Sequence, residues 1–145
     1  MKRFLVDLDV VLDVLLDREP HVSVSAALWA AVERGAAEGW IAAHGVSTAF
    51  YLVSKAKTTR LAHRVVRDLL SVFRVAPVEG ATLHRAADLA FDDFDDAVVA
   101  AAAEAVPCDA IVTRNIRDFR KSPVDALEPA LALALLELDS EIHEG

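Results

Sequence analysis

The sequence predicts an α/β fold, a three-layer α/β/α sandwich whose short central parallel sheet is flanked by helices, built as a single domain over residues 1–145. Three observations predict it. Short apolar, β-branched runs alternate with longer helical stretches, and that alternation calls for parallel strands joined by crossover helices. Alanine-rich segments at 26–37, 97–105 and 130–134 favour helix. A length of 145 residues with 54% apolar content suffices for one core and excludes a disordered chain.

Taken in order, residues 3–7 form an apolar run that reads as a buried strand, and 10–16 a short helix that stops before Arg18-Glu19-Pro20. Residues 21–38 read as a helix, followed by Gly39 and a short strand at 40–42. Two helices follow at 45–56 and 59–73. Strand character returns at 74–78, and 81–90 is helical. Residues 92–105 form a helix entered through aspartates and ended near Pro107. A β-branched strand at 110–113 leads into a polar loop at 114–122. Pro129 falls in the first turn of a last helix reaching Leu138, where its missing N–H costs nothing. No internal repeat or linker interrupts the pattern.

Cys108 is the only cysteine, so no internal disulfide or thiolate zinc site is expected; that fits a reducing, cytoplasmic setting. The opening apolar run is short and broken by Asp7 and Asp9, which argues against a signal peptide or membrane span. The net charge of −8 opposes nucleic-acid binding at first sight, but the charges are segregated. Lys55, Lys57, Arg60, Arg64, Arg67 and Arg74 face only Asp68 within their stretch. Such a strip suits a basic wall beside an acidic site, but taken alone it fits the solvated face of an ordinary helix better.

In open α/β sheets, ligands bind beyond the carboxyl ends of the strands. The first strand ends in Asp7-Leu8-Asp9, whose carboxylates share one side if the extended backbone continues. Asp92, Asp93, Asp95 and Asp96 open the mid-chain helix, and Arg114, Asn115 and Asp118 follow the last strand. One or two aspartates would suffice to cap a helix, and four in five residues exceed that need. Carboxylates at the tips of separate elements match what Mg²⁺ or Mn²⁺ requires: a few oxygen ligands, with water completing the shell. The scattered His21, His44, His63, His84 and His143 offer no zinc spacing, and there is neither a Gly-x-Ser-x-Gly elbow nor a glycine-rich phosphate loop.

The runs Phe4-Leu5-Val6-Asp7-Leu8-Asp9-Val10-Val11-Leu12-Asp13, Asp93-Phe94-Asp95-Asp96-Ala97 and Ile111-Val112-Thr113-Arg114-Asn115-Ile116-Arg117-Asp118-Phe119, in this order, resemble the PIN domain, in particular the VapC-type toxins of toxin-antitoxin modules. The resemblance implies a PIN-like sandwich and a metal-dependent ribonuclease. It implies Asp7, Asp96 and Asp118 as catalytic metal-binding acids, and Asp9, Asp95, Asn115 and Thr48 as residues that orient ligands or waters. Arg114, Lys55, Lys57, Arg60 and Arg64 would contact RNA. The implied partners are an RNA substrate, a cognate antitoxin and a second copy in a homodimer, with no membrane. Two departures stand out. Asp9 occupies a place usually neutral, and Thr48 stands near where many members carry a carboxylate, no acid occurring between Trp40 and Lys57. Asp7-x-Asp9 after an apolar strand also resembles haloacid-dehalogenase-like phosphatases, with Asp7 as nucleophile, though the downstream acidic loop of that family is missing. A degenerate PIN domain that binds RNA or a protein without cutting is the third expectation.

Overall fold

The computed structural model describes residues 1–144; Gly145, the end of the expected domain span, and the side chains of His143 and Glu144 lie outside the described residues. Five strands, β1 (Arg3–Val6), β2 (Glu38–Ala42), β3 (Arg74–Ala76), β4 (Ala110–Val112) and β5 (Ala126–Leu127), form one all-parallel sheet in the order β3-β2-β1-β4-β5. Seven helices connect and cover them: α1 (Leu8–Leu15), α2 (Val22–Glu33), α3 (Ala43–Ala56), α4 (Thr59–Val72), α5 (Gly80–Asp88), α6 (Phe94–Ala105) and α7 (Pro129–Glu144). The α/β/α sandwich read from the sequence is the fold of the chain.

The central strands are apolar on both faces, as a doubly covered sheet requires. Phe4 and Val6 of β1 and Val112 of β4 point to one side, into a core completed by Val10 of α1, Leu28 and Val32 of α2, and Ala132 and Leu136 of α7. Leu5 and Ile111 point to the other, where Ala100 and Ala103 of α6 meet them. Those small side chains let α6 lie close to the sheet. Farther out, Ala97 and Ala101 of α6 pack on Ala86 of α5. Each fully buried large side chain here contributes about 1.5–3 kcal/mol. Gly39 is a packing requirement: a Cβ there would stand 2.6 Å from Val32 Cγ1 and 2.8 Å from Phe73 Cδ1.

Several boundaries differ from the sequence reading. The second helix ends at Glu33 because Gly35, at φ +84°, turns the chain left-handed, with Ala36 N–H donating to Ala31 O and Gly35 N–H to Val32 O. Glu38 thereby joins β2 instead of the helix. The mid-chain helix starts at Phe94, because Asp93 is its N-cap. The polar loop contains a 3₁₀ turn at Ile116–Phe119. The two-residue β5 carries no periodicity of its own; Ile111 N–H to Asp125 O and Thr113 N–H to Leu127 O define it.

Candidate active site

The sheet order places β1 and β4 side by side at its centre, and the chain leaves them in opposite directions. This is the topological switch point, where a crevice opens beyond the strand ends. An acidic cleft of about 210 Å³ lies there, lined by Asp7, Asp9, Asp93, Asp95, Asp96 and Asn115, with His44, Gly45 and Thr48 of α3 as the facing wall. No Lys or Arg lines it.

Asp7 ends β1 and caps α1. Its N–H donates to Val112 O, and its carboxylate accepts the Leu8 N–H at 2.9 Å and the Thr113 hydroxyl at 2.8 Å. The chain turns helical at once, so Asp9 lies in the first turn of α1 and does not continue an extended strand as the sequence reading supposed; both acids still line the cleft. Asp9 Oδ2 accepts from Asn115 Nδ2 at 2.9 Å, whereas Asp9 Oδ1 is buried without a partner. Asp93 accepts the Asp96 N–H at 3.1 Å, which leaves the Asp96 carboxylate free of the capping role. Asp118 is carried by the 3₁₀ turn, its N–H donating to Asn115 O.

The electrostatics report a negative charge without an answer. Burial pushes the Asp96 carboxyl up to about 7, reinforced by Asp93, Asp7, Asp118 and Asp95. Burial and then Asp7 raise Asp9 to about 6, with Arg114 acting in the opposite direction. Asp7 is raised as well, by burial first, against the hydrogen bonds from Thr113 and Leu8. The orphaned Asp9 oxygen and the mutual repulsion of the clustered acids fit a divalent cation with oxygen ligands. Yet no three His, Cys, Asp or Glu side chains among the described residues form a ready metal cage. Asp118 acts on both Asp7 and Asp96 across the crevice, and the three could hold an ion with water completing the shell.

The structure does not bring all the expected site residues together. Thr48 lines the cleft, its hydroxyl donating to His44 O at 3.3 Å. Asp95 is 81% exposed and its Oδ1 stands 3.9 Å from His44 Nε2. Lys55 lies over the Tyr51 ring and Lys57 ends α3, while Arg60 and Arg64 line a separate depression with His63, Arg67 and Asp68. None of these cations reaches the acidic cleft. Arg114, expected on the RNA, is committed inward: its Nε and Nη2 donate to Asp13 at 2.8 and 3.1 Å. Asp13 is fully buried and also accepts from Ser25 Oγ at 3.2 Å. A buried carboxylate requires such a partner, and a guanidinium supplies it in a planar two-bond fork.

Asp13 and His44 escaped the sequence reading as members of this neighbourhood. The signal for Asp13 was its place three residues after Val10 on the apolar face of α1, where an unpaired acid could not stay. His44 lies one helical turn before Thr48, on the same face.

A model of the PIN domain family matches residues 3–117. The chain belongs to the PIN-domain family. The haloacid-dehalogenase-like alternative is thereby set aside. This PIN domain is similar in structure to VapBC2 from Rickettsia felis, solved bound to a DNA fragment from its promoter, with a TM-score of 0.69 and 15% identity over 87% of this chain and 98% of that one. A toxin-antitoxin complex from Klebsiella pneumoniae gives a TM-score of 0.66 at 20% identity, covering 86% and 96%. VapC20 from Mycobacterium tuberculosis, a sarcin-ricin loop cleaving toxin, gives 0.62 at 17% identity, covering 74% and 86%. At these identities the likeness is one of fold. No curated protein sequence matches the chain. No helix among the described residues is long and apolar enough to cross a membrane.

Proposed function

We propose that this PIN domain is a Mg²⁺- or Mn²⁺-dependent endoribonuclease that hydrolyses RNA phosphodiester bonds, and that it is the toxin of a toxin-antitoxin pair. The reading rests on one observation above all: Asp7, Asp9 and Asp96 converge with Asp118 beside them at the switch point of a PIN fold, and no protein cation lines the cleft to offset them. Asp7, Asp96 and Asp118 are the residues that would hold the cation. A divalent ion held there would supply Lewis-acid chemistry, lowering the pKa of a water and offsetting charge on the phosphate oxygens.

The chain's own contribution is orientation. Thr113, itself fully buried, fixes the Asp7 carboxylate, and Asn115 fixes Asp9 through its side-chain amide. Asn115 is steadied in turn by its own N–H, which donates to the Thr113 hydroxyl at 3.0 Å. Carboxylates held this way need little rearrangement to accept a ligand. The antitoxin would cover the acidic groove, and a homodimer and a cytoplasmic setting belong to the same reading.

The test is an RNA cleavage assay of purified protein with Mg²⁺, Mn²⁺ or EDTA, run beside Asp7→Asn and Asp96→Asn. Cleavage that needs the metal and disappears in both folded variants is the expected result. Full activity in either variant sinks the site assignment. Thr48 in place of a carboxylate, together with the lack of a tight three-acid cage among the described residues, favours a second reading in which the domain binds RNA or a partner without cutting. Calorimetry decides between them: wild-type protein that takes up neither divalent ion supports the non-catalytic reading.

A further inference from the structure

A second cleft, of about 240 Å³, lies beside the acidic one and shares Asp93 with it. Its walls are Phe91, Asp92 and Asp93 from the approach to α6, and Arg117, Asp118, Arg120 and Lys121 from the 3₁₀ turn and the residues after it. In a 3₁₀ turn, residues three apart eclipse one another, so Arg117 and Arg120 project on the same side. Phe119 between them is buried and packs edge-on against Phe91, with ring centroids 6.0 Å apart, which anchors the turn. Asp118 acts on Asp7 and Asp96 across the crevice. The turn and the residue after it thus line the second cleft with two guanidinium groups and with Asp118, whose charge also reaches Asp7 and Asp96.

Arg117 and Arg120 are exposed and form no ion pair within 4.0 Å among the described residues. Lys121 differs, since its ammonium donates to Ala90 O at 3.0 Å and braces the loop that leads into α6. Of the opposing acids, Asp93 caps α6 and Asp118 belongs to the ion-holding set, which leaves Asp92 as the one acid with no assigned task. The expected RNA-binding cations are placed elsewhere: Arg114 is locked to Asp13, and Arg60 and Arg64 border a separate depression.

We propose that the second cleft is the phosphate subsite of this domain: Arg117 and Arg120 bind the backbone of the RNA strand next to the bond held over the acids. The inference rests on the ribonuclease reading and adds the direction in which the strand leaves the acidic cleft. Guanidinium groups suit phosphate oxygens because their planar N–H forks match them in pairs. Exposed arginines of this kind position a backbone without reading bases, so their contribution is sequence-independent and screened by salt.

The experiment compares Arg117→Gln/Arg120→Gln with Arg60→Gln/Arg64→Gln, both in the Asp96→Asn background with Mg²⁺, by fluorescence anisotropy of a labelled single-stranded RNA over a salt series. Each lost phosphate contact on a single strand lowers the slope of log K against log[salt] by about 0.7. The loop variant is therefore expected to lose about 1.4 of slope and at least tenfold in affinity, with the α4 variant losing less. Calorimetry of Arg117→Gln/Arg120→Gln without the Asp96 change is expected to give Mg²⁺ affinity within twofold of wild type. Unchanged slope and affinity in the loop variant, or a larger loss in the α4 variant, overturn the subsite. Loss of Mg²⁺ affinity overturns it too, because the arginines would then act on the acids. If wild type cuts RNA while the loop variant binds normally, the subsite alone fails. Wild type that takes up Mg²⁺ and binds no RNA removes the subsite and the ribonuclease reading together.

Discussion

Replacing Arg114 with alanine separates two jobs that one residue could do. In the structure Arg114 neutralises Asp13, which is fully buried and receives two N–H bonds from the guanidinium and one hydroxyl bond from Ser25. Removing the guanidinium strands a carboxylate that keeps one weak partner. Breaking a buried pair from one side costs about 3–5 kcal/mol, a large part of the roughly 5–15 kcal/mol that holds a typical domain together. At about 2–4 °C per kcal/mol for a chain of this size, Tm should fall by roughly 6–20 °C. Arg114→Lys keeps the charge and loses one arm of the fork, for a smaller loss of about 1.5–3 kcal/mol. Asp13→Leu with Arg114→Met removes both charges and should recover most of the stability. Urea unfolding followed by the fluorescence of Trp29 and Trp40 measures all three. If Arg114→Ala unfolds within about 0.5 kcal/mol of wild type while RNA affinity collapses, the inward assignment is wrong and Arg114 is an RNA contact after all.

Thr48→Glu returns a carboxylate to the α3 wall of the cleft, and Mg²⁺ affinity by calorimetry should rise by an order of magnitude; an unchanged affinity means that α3 stands too far from the ion. Folded-state values of about 7 for Asp96 and about 6 for Asp9 lie above the unfolded carboxylate value, so their contribution to stability is complete below about pH 4 and is lost as pH rises through those values. Protons and cation compete for the same oxygens, so the Mg²⁺-induced rise in Tm should be small at pH 5 and about 5–10 °C at pH 8 with ion at a hundred times its Kd. A rise independent of pH would place the ion away from these acids. Gly39→Ala forces a methyl against Val32 and Phe73 and should cost about 1–3 kcal/mol in urea unfolding without altering Mg²⁺ binding.

The fold was legible because its signals are local and agree. The apolar runs of β1 and β4, the alanines of α6 and the proline opening α7 each specify an element by themselves. The acids were legible because their spacing is local too. Less visible was which side chain answers which. Nothing near Arg114 in sequence announces that its partner lies 101 residues away in α1, and an arginine in a polar loop reads as a surface contact until the fold turns it inward. The alternation of α4 could not say which way its outer face looks, only that it has one. Arg117 of the 3₁₀ turn and Arg120 just after it were overlooked because a four-residue turn leaves no periodic trace in a loop.

The bonds that shape the acidic cleft join the chain's beginning to its last third. Thr113 to Asp7 and Asn115 to Asp9 each span 106 residues, and Arg114 to Asp13 spans 101. On a growing polypeptide, the opening strand and its acids exist long before their partners have been made. Until residue 118 has cleared the ribosome there is no cleft, only separated aspartates on an unfinished sheet, and a fragment ending before Thr113 can never acquire one. The location of the site therefore also fixes its timing: whatever the cleft does, it first becomes able to do only after the segment from Thr113 to Asp118 has been made and has joined β1 and α1.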